Sequence, residues 1–552
     1  MSSVLIRHPL RAALPLVTLT LLAGPASAQD ITGRIDGIFA RFASADGPGC
    51  VVGVAQNGTP VAIRAYGLAD VQRRMPMTTA MKFDIGSVQK QFVAAAVLLL
   101  VEDGRLTLSD DIRTVFPELP EYGHTIRVDH LLTHTSGIRD WTALLPLAPE
   151  GSDVLKLIFQ QRGLNFAPGQ EWSYSNSGYV LLKELVARVS GMSFAEFAQR
   201  RLFEPLGMPS TAYVADILQG EGPLALAYQQ DGSSWKQHMR LGNERGGGAI
   251  ISTAGDLLLW NAALTSGRLG RFVTAKLHEP ARLNNGRALT YTRGLTVTDI
   301  PGGPLISHSG GAAGYSTWLG RFTAHELSIA AMCNFEPVSV TQLSGRVADL
   351  FLPPVDGPPP PGPVAAQGVS VAERAGLYFE EGTGLPLRLL VNNGRLAIAN
   401  GPPLVPVSAE RFQPPRASLF LRSEDAFTLV FLSHDELELV SMEGQATRYR
   451  RAVPWTPSAA EQEAVAGRYS SSELGSGFEI VSSSGGITMR IEGSPERAVE
   501  LEPVAPDTYM RNLMIVRFRR DSTGRVTGLE YGNPVVRRLE LTRVGDRSAG
   551  AP

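Results

Sequence analysis

The sequence predicts an α+β domain, residues 29–352, followed by two small antiparallel β-barrels at 371–455 and 456–545. Three observations lead to this reading. Seven of the eleven residues from Pro353 to Pro363 are proline, which bars a helix or a central strand and marks 353–370 as an extended linker. Before that linker, helical and strand-like segments alternate; after it the pattern is almost wholly β. The β-rich part also repeats itself: "AERAGLYFEE" (Ala372 to Glu381) is echoed by "EAVAGRYSSS" (Glu463 to Ser472), with Gly376 and Gly467 lying 91 residues apart. Each unit continues as short alternating strands broken by turns such as "NNGR" and "SSGG", the pattern of a small barrel. Whether the two units are spacers or binding modules the sequence leaves open.

Residues 1–28 read as a secretory signal peptide rather than as part of the fold. Arg7 and Arg11 precede an apolar run from Ala12 to Gly24, and Ala26-Ser27-Ala28 forms a small-x-small cleavage site. The run is too short for a membrane anchor, and no cysteine follows the cleavage point to carry a lipid. The expectation is export to a bacterial periplasm. A formal net charge of −2 gives no reason to invoke nucleic acid or an anionic membrane surface. Both cysteines, Cys50 and Cys333, sit in strand-like runs; pairing and two buried free thiols both remain open at this point.

From the start of the domain, "GCVVGVAQNGTPVAIRAYG" reads as a β-hairpin. "DIGSVQKQFVAAAVLLLVEDGRL" follows, apolar on every side from Phe92 to Val101, hence a buried helix with Gly104 at its C-terminal end. Ser87 and Lys90 open that helix at i and i+3, on one face, where unpaired N–H groups favour negative charge on the serine oxygen. A serine hydroxyl needs a group to remove its proton, and a desolvated lysine supplies one. Spacing alone does not identify the pair, because Ser233 and Lys236 repeat it in a polar stretch that reads as surface loop.

Tyr174-Ser175-Asn176 lies between the Pro168-Gly169 turn and a helix with an apolar stripe. Beside an ammonium the phenol becomes more acidic, so Tyr174 placed near Lys90 can take the serine proton and return it to a leaving group. A second Tyr-Gly-Asn, Tyr531 to Asn533, falls in a strand turn. His308-Ser309-Gly310 is followed by Gly311 and Ala312, small residues that let the backbone approach a substrate and offer an N–H to an oxyanion. His130 and His134 have metal-pair spacing, but no glutamate follows His130, and metal binding is not expected. The Gly-x-Ser-x-Gly elbow of α/β-hydrolases does not occur in the chain.

Together these residues resemble the serine β-lactamase and penicillin-binding superfamily, in particular its class C-like branch of D-amino-acid peptidases and esterases (peptidase family S12). The order Ser87-Val88-Gln89-Lys90, Tyr174-Ser175-Asn176, His308-Ser309-Gly310 matches, as do "HLLTHTSG", "YSNSGYVLL" and "GGGAIISTAGDL". The resemblance implies an antiparallel sheet that joins the N-terminal strands to the last strands, flanked by helices, with a helical subdomain. On that fold Cys50 and Cys333 can come within pairing distance. It further implies that Ser87 is acylated, Lys90 and Tyr174 handle its proton, Asn176 orients substrate or lysine, and the N–H groups of Ser87 and Gly311 form the oxyanion hole. His308 and Gly310 would face the same site.

One departure matters. Many relatives have Lys-Thr-Gly where this chain has His308-Ser309-Gly310, so a permanent cation is replaced by an imidazole expected to titrate near neutrality. That argues against an efficient β-lactamase. D-aminopeptidases are similar in carrying His-x-Gly and two C-terminal barrels, and in them a loop of the last barrel enters the cleft. "EPVAPDTYMRNLM" (Glu502 to Met514) is the candidate loop here, with Asp507 as the amine partner. The expected function is a cofactor-free serine hydrolase that removes N-terminal D-residues from small amides or peptides. The alternatives are a carboxylesterase or weak D,D-peptidase, and a penicillin-binding sensor with little turnover. The expected partner is a small-molecule or short-peptide substrate, with self-association into a homo-oligomer left open.

Overall fold

A computed structural model describes residues 28–43, 46–239, 248–353, 371–399, 401, 403–415, 427–441, 444–483 and 486–545. The expected signal peptide, but for Ala28, and the linker beyond Pro353 lie outside these residues. The centre of the first domain is a six-stranded antiparallel sheet. Its strands are β1 (Cys50–Gln56), β2 (Thr59–Tyr66), β3 (Thr296–Ile300), β4 (Gly303–Ala312), β5 (Tyr315–Phe322) and β6 (Leu327–Cys333), in spatial order β3-β4-β5-β6-β1-β2. The β1–β2 hairpin turns at Asn57 and Gly58, both at positive φ (52° and 73°), as a two-residue hairpin turn requires.

Strand β1 is buried on both faces, and its alternation divides the core. Val51 and Ala55 belong to the large cluster under the helices, whereas Cys50, Val52 and Val54 face a second layer. That layer is built from α1 (Ala28–Phe39), through Ile35, Ile38 and Phe39, and a helix at Val340–Ala348, through Val340, Leu343 and Val347. On the other face lies the all-apolar helix α2 (Lys90–Glu102), buried from Lys90 to Leu100 as its composition predicts. The remaining helices that shape the site are α3 (Trp141–Leu144) and α4 (Asn176–Ser190).

The C-terminal region consists of two eight-stranded barrel-like sheets. The second is closed, its first strand (Gly467–Ser471) pairing with its last (Val536–Val544). In the first, the edges meet at the Ala397–Pro403 bridge and through Leu404 N–H to Leu396 O (2.6 Å). The structure explains the 91-residue echo. Tyr378 donates to Arg374 O (3.0 Å) under the Arg451 guanidinium, and Tyr469 donates to Val465 O (2.7 Å) under Arg543. Gly376 and Gly467 sit at φ 153° and 146°, a backbone conformation L side chains rarely adopt, beside those same guanidinium groups, so each unit favours a glycine there.

The second barrel does not hang free. Leu144, Leu147, Ala148 and Leu157 of the first domain complete its hydrophobic core. The first barrel is joined to it by the Arg388–Glu502 ion pair and by Arg517 Nη2 donating to Gly384 O (2.5 Å).

Cys50 and Cys333 stand directly opposite each other on β1 and β6, with Cα atoms 4.0 Å apart, and form a disulfide. Of the two readings the sequence left open, pairing holds. The bond closes a loop of 283 residues, so replacing both cysteines with alanine is expected to lower the thermal midpoint of the first domain by about 5 °C or more. Differential scanning calorimetry of the double variant checks this; an unchanged midpoint would mean that strand pairing alone holds the sheet.

Candidate active site

Ser87 lies in a 3₁₀ turn, Gly86–Gln89, and the α-helix proper begins at Lys90. The sequence expectation had the serine in the helix's own first turn; the tighter turn stacks i directly under i+3, which favours the pair. Lys90 Nζ donates to Ser87 Oγ at 3.2 Å. The turn is pressed against β4. A Cβ on Gly86, at φ 51°, would lie 2.8 Å from Gly311 N, and one on Gly310 would lie 2.1 Å from Ile85 O. Only glycines permit this approach, and it sets Ser87 and Gly311 on the wall of one cleft of about 160 Å³, the scale of a small acyl group. Lys90, Asn176, Trp141, Thr142 and Lys183 also line it.

Lys90 is only 3% exposed. Its ammonium donates to Asn176 Oδ1 (2.8 Å) and stands over the rings of Tyr174 and Tyr179, 4.6 Å and 5.3 Å from their centroids. Hydrogen bonds and ring faces thus replace the water the cation has lost. Tyr174 thus presents its ring face to Lys90.

Asn176 is the first residue of α4, and its orientation is set by a residue the sequence reading missed. The Asp140 carboxylate accepts from Asn176 N–H and from Asn176 Nδ2 (3.1 Å) with one oxygen, and from Thr142 N–H (2.8 Å) and Thr142 Oγ1 (2.6 Å) with the other. One carboxylate caps the N-termini of both α3 and α4. Asp140 before "WTALL" carried an N-cap signal in sequence, but nothing local pointed to the second helix.

His308 is on β4, buried to 3% exposure, and lies behind the cleft wall rather than on it. Its hydrogen bonds fix its tautomer. His134 Nδ1 accepts Ser175 N–H (3.0 Å), so His134 Nε2 carries the proton and donates to Tyr291 Oη (3.1 Å). Tyr291 then donates to His308 Nε2 (3.1 Å), leaving His308 Nδ1–H for Ser309 O (2.6 Å). Burial first, and the nearby Lys90 charge second, push His308 down to about 4 and His134 well below the ordinary imidazole range. The expectation that His308 titrates near neutrality is therefore corrected. His130 Nδ1 accepts Arg127 N–H (3.1 Å), while both ring nitrogens of His134 are engaged by Ser175 and Tyr291.

Asp507 is a second correction. It sits at φ 55° in the turn after the strand Ser494–Ala505, its carboxylate bound by Arg520 (2.6 Å) and its carbonyl by Phe518 N–H (2.8 Å). The loop from Glu502 to Met514 turns towards the first barrel, and Asp507 is not part of the described cleft lining. The hairpin that approaches the site is another, at Asn533 to Arg538, where Asn533 Oδ1 accepts Val535 N–H (3.0 Å) and Val536 N–H (2.8 Å). Ser233 is in the turn and Lys236 on the second strand of an exposed β-hairpin, and neither is among the cleft-lining residues.

Comparison with known proteins bears on this geometry. The model of the beta-lactamase family matches residues 35–350. Penicillin-binding protein 4* of Bacillus subtilis (strain 168) is 30% identical over 305 residues, covering 51% of this chain and 67% of that protein. The D-aminopeptidase of Brucella anthropi is 26% identical over 542 residues, covering 90% of this chain and 96% of that protein. Among solved structures, the octameric penicillin-binding protein homologue from Pyrococcus abyssi superposes with a TM-score of 0.53 at 20% identity, covering 77% of this chain and all (100%) of that one.

The depressed histidines make stability depend on pH with a defined sign. Below an unfolded-state pKa of about 6.5 the unfolded chain binds protons that folded His134 and His308 refuse, so stability is full above that value. It is lost as pH falls towards about 4, where His308 protonates. Denaturant midpoints measured at pH 7, 5.5 and 4.5 are expected to fall steadily, and His308→Gln is expected to flatten the slope.

Proposed function

The chain belongs to the beta-lactamase family, and from that premise we propose that Ser87 is the nucleophile of a two-step acyl transfer. The chain is a serine hydrolase of that fold. The observation that carries the assignment is the unbroken contact series Ser87 Oγ–Lys90 Nζ–Asn176 Oδ1 at 3.2 Å and 2.8 Å, on a cleft wall shared with Gly311. In the proposed reaction Oγ attacks the substrate carbonyl carbon while its proton passes to Tyr174, or to Lys90 where that side chain is the neutral amine. The N–H groups of Ser87 and Gly311 stabilise the oxyanion. The proton then goes to the leaving group, and water, activated by the same residues, releases the acid. Each step uses side chains, backbone N–H groups and water.

For the substrate we propose small amides or peptides with an N-terminal D-residue. Similarity to the Brucella anthropi D-aminopeptidase along 90% of this chain, both barrels included, supports that choice. His308 is proposed to act from behind the cleft, as a neutral group that fixes β4 through its neighbours. One observation favours a second reading, a carboxylesterase or weak D,D-peptidase. The described lining of the cleft holds Lys183 and neither aspartate nor glutamate, whereas capture of a free amine calls for a carboxylate. Export to the periplasm remains a proposal, supported by the Cys50–Cys333 disulfide; self-association is likewise a proposal, to be read by mass photometry.

Hydrolysis of D-alanyl p-nitroanilide, L-alanyl p-nitroanilide and p-nitrophenyl acetate, each with Ser87→Ala alongside, tests the assignment. Turnover of the D-anilide that falls by about a thousandfold or more in the variant is expected. Turnover of the ester alone would move the substrate to the second reading. A long-lived adduct on Ser87, seen by intact mass, would instead mark a sensor.

A further inference from the structure

The second barrel meets the first domain one residue away from the carboxylate that holds Asn176. Arg139 is buried at this junction. Its Nη1 pairs with Glu473 (2.8 Å), Nε donates to Arg537 O (3.1 Å) and Nη2 to Arg538 O (2.8 Å), all three acceptors belonging to the barrel. Gln161 closes the ring, accepting from Arg139 Nη1 (3.3 Å) and donating to Glu473 O (3.0 Å). The next residue continues the seam. Asp140 N–H donates to Val535 O (3.0 Å), which also takes Asn165 Nδ2 (2.9 Å), and Asn165 Oδ1 accepts Arg537 N–H (2.8 Å).

The opposite side of the same short strap is bonded to the first turn of α4. Arg139 O accepts from Ser177 Oγ (2.8 Å), and Ser177 Oγ accepts Trp141 N–H (2.8 Å). The Asp140 carboxylate has its four acceptor directions filled by donors from Asn176 and Thr142. It can only accept, so the Asn176 amide must turn its nitrogen towards Asp140 and its oxygen towards Lys90. Trp141 and Thr142, the next residues of the strap, line the cleft itself.

We propose that Asp140 is a positioning residue through which the second barrel fixes the Asn176–Lys90 pair, making that barrel a working part of the active site. The route is a hairpin at Asn533 to Arg538 acting on the strap, and it requires no barrel residue to touch substrate. The proposal rests on the assignment of Lys90 and Ser87 to the reaction, and its test keeps the two apart.

Asp140→Asn keeps the size of the side chain but sets an NH₂ against donors on one side or the other. It is expected to lower kcat by about thirtyfold or more while KM changes by less than about threefold. Glu473→Gln, at the junction, is expected to lower kcat by about tenfold, and to cost nothing further when combined with Asp140→Asn, because both act on one element. Ser476→Ala removes a bond from the barrel to Leu147 O (2.6 Å) elsewhere on the same interface, and is expected to lower Tm without changing kcat. Losses from Glu473→Gln and Asp140→Asn that multiply, or a Glu473→Gln variant with altered Tm and unaltered kcat, would overturn the proposal. If Glu473→Gln does not fold, Asn165→Ala, which loosens the same hairpin, takes its place. Hydrogen exchange at the Asn176 and Trp141 amides needs no turnover: acceleration in the junction variant but not in Ser476→Ala supports the positioning role even if Ser87 proves not to be the nucleophile. Equal exchange in the two variants would sink it whatever the enzyme's activity.

Discussion

A cation buried to 3% exposure dictates most of what surrounds it. Lys90 sits at the start of a helix whose next ten residues are all buried, so water cannot solvate its side chain from that side. The structure supplies substitutes: a hydroxyl, an amide oxygen and two aromatic faces. Each substitute must itself be held, and the holding residues reach outward through Asp140 to the second barrel and through His134 and Tyr291 to β4. Burial first, and the Lys90 charge second, keep its histidine neighbours neutral. The site is therefore organised around one buried lysine, and the imidazoles around it serve as hydrogen-bond geometry.

How much of this was legible in the sequence follows from which contacts are local. Ser87 and Lys90 are three residues apart, and an apolar run after them announced burial, so the pair stood out from its copy at Ser233 and Lys236. The β1–β2 hairpin and the repeated Gly-x-Tyr of the barrels are also local signals. Asp140 and Tyr291 gave no such notice. Asp140 caps one helix beside it and a second 36 residues away, while Tyr291 bridges histidines 157 and 17 residues distant. Only the folded chain brings them in. The titration of His308 was misjudged for a related reason: the sequence shows the residue type but not the burial and the Lys90 charge that set it. Asp507 failed because a closed barrel has several hairpins, and nothing in sequence says which of them faces a neighbouring domain.

The two barrels illustrate how one local solution takes on unequal roles. Both are organised by a tyrosine that donates to the helix carbonyl four residues earlier and an arginine laid over its ring. That shared device accounts for the repeat in sequence. It does not account for placement, which depends on the strand tips and outer faces. The second barrel borrows Leu144, Leu147, Ala148 and Leu157 to finish its core, and its last hairpin lies along the strap that ends at Asp140. The first is bonded to its neighbour through Arg388 and Gly384 and to the first domain through Gln445 Oε1, which accepts from Arg287 Nη2 (2.9 Å).

The pairing of β1 with β6 bears on how the chain reaches this state. The hairpin made by β1 and β2 is complete as soon as Tyr66 has been synthesised, yet the partner strand that covers its inner edge ends at Cys333. Until then β1, which is buried on both faces in the finished domain, has one edge without a partner strand. The sheet can thus be completed only after most of the domain has been made. Its slowest requirement is the return of the chain's far end to its beginning, which exposes the nascent molecule to intermolecular strand exchange until that return is made.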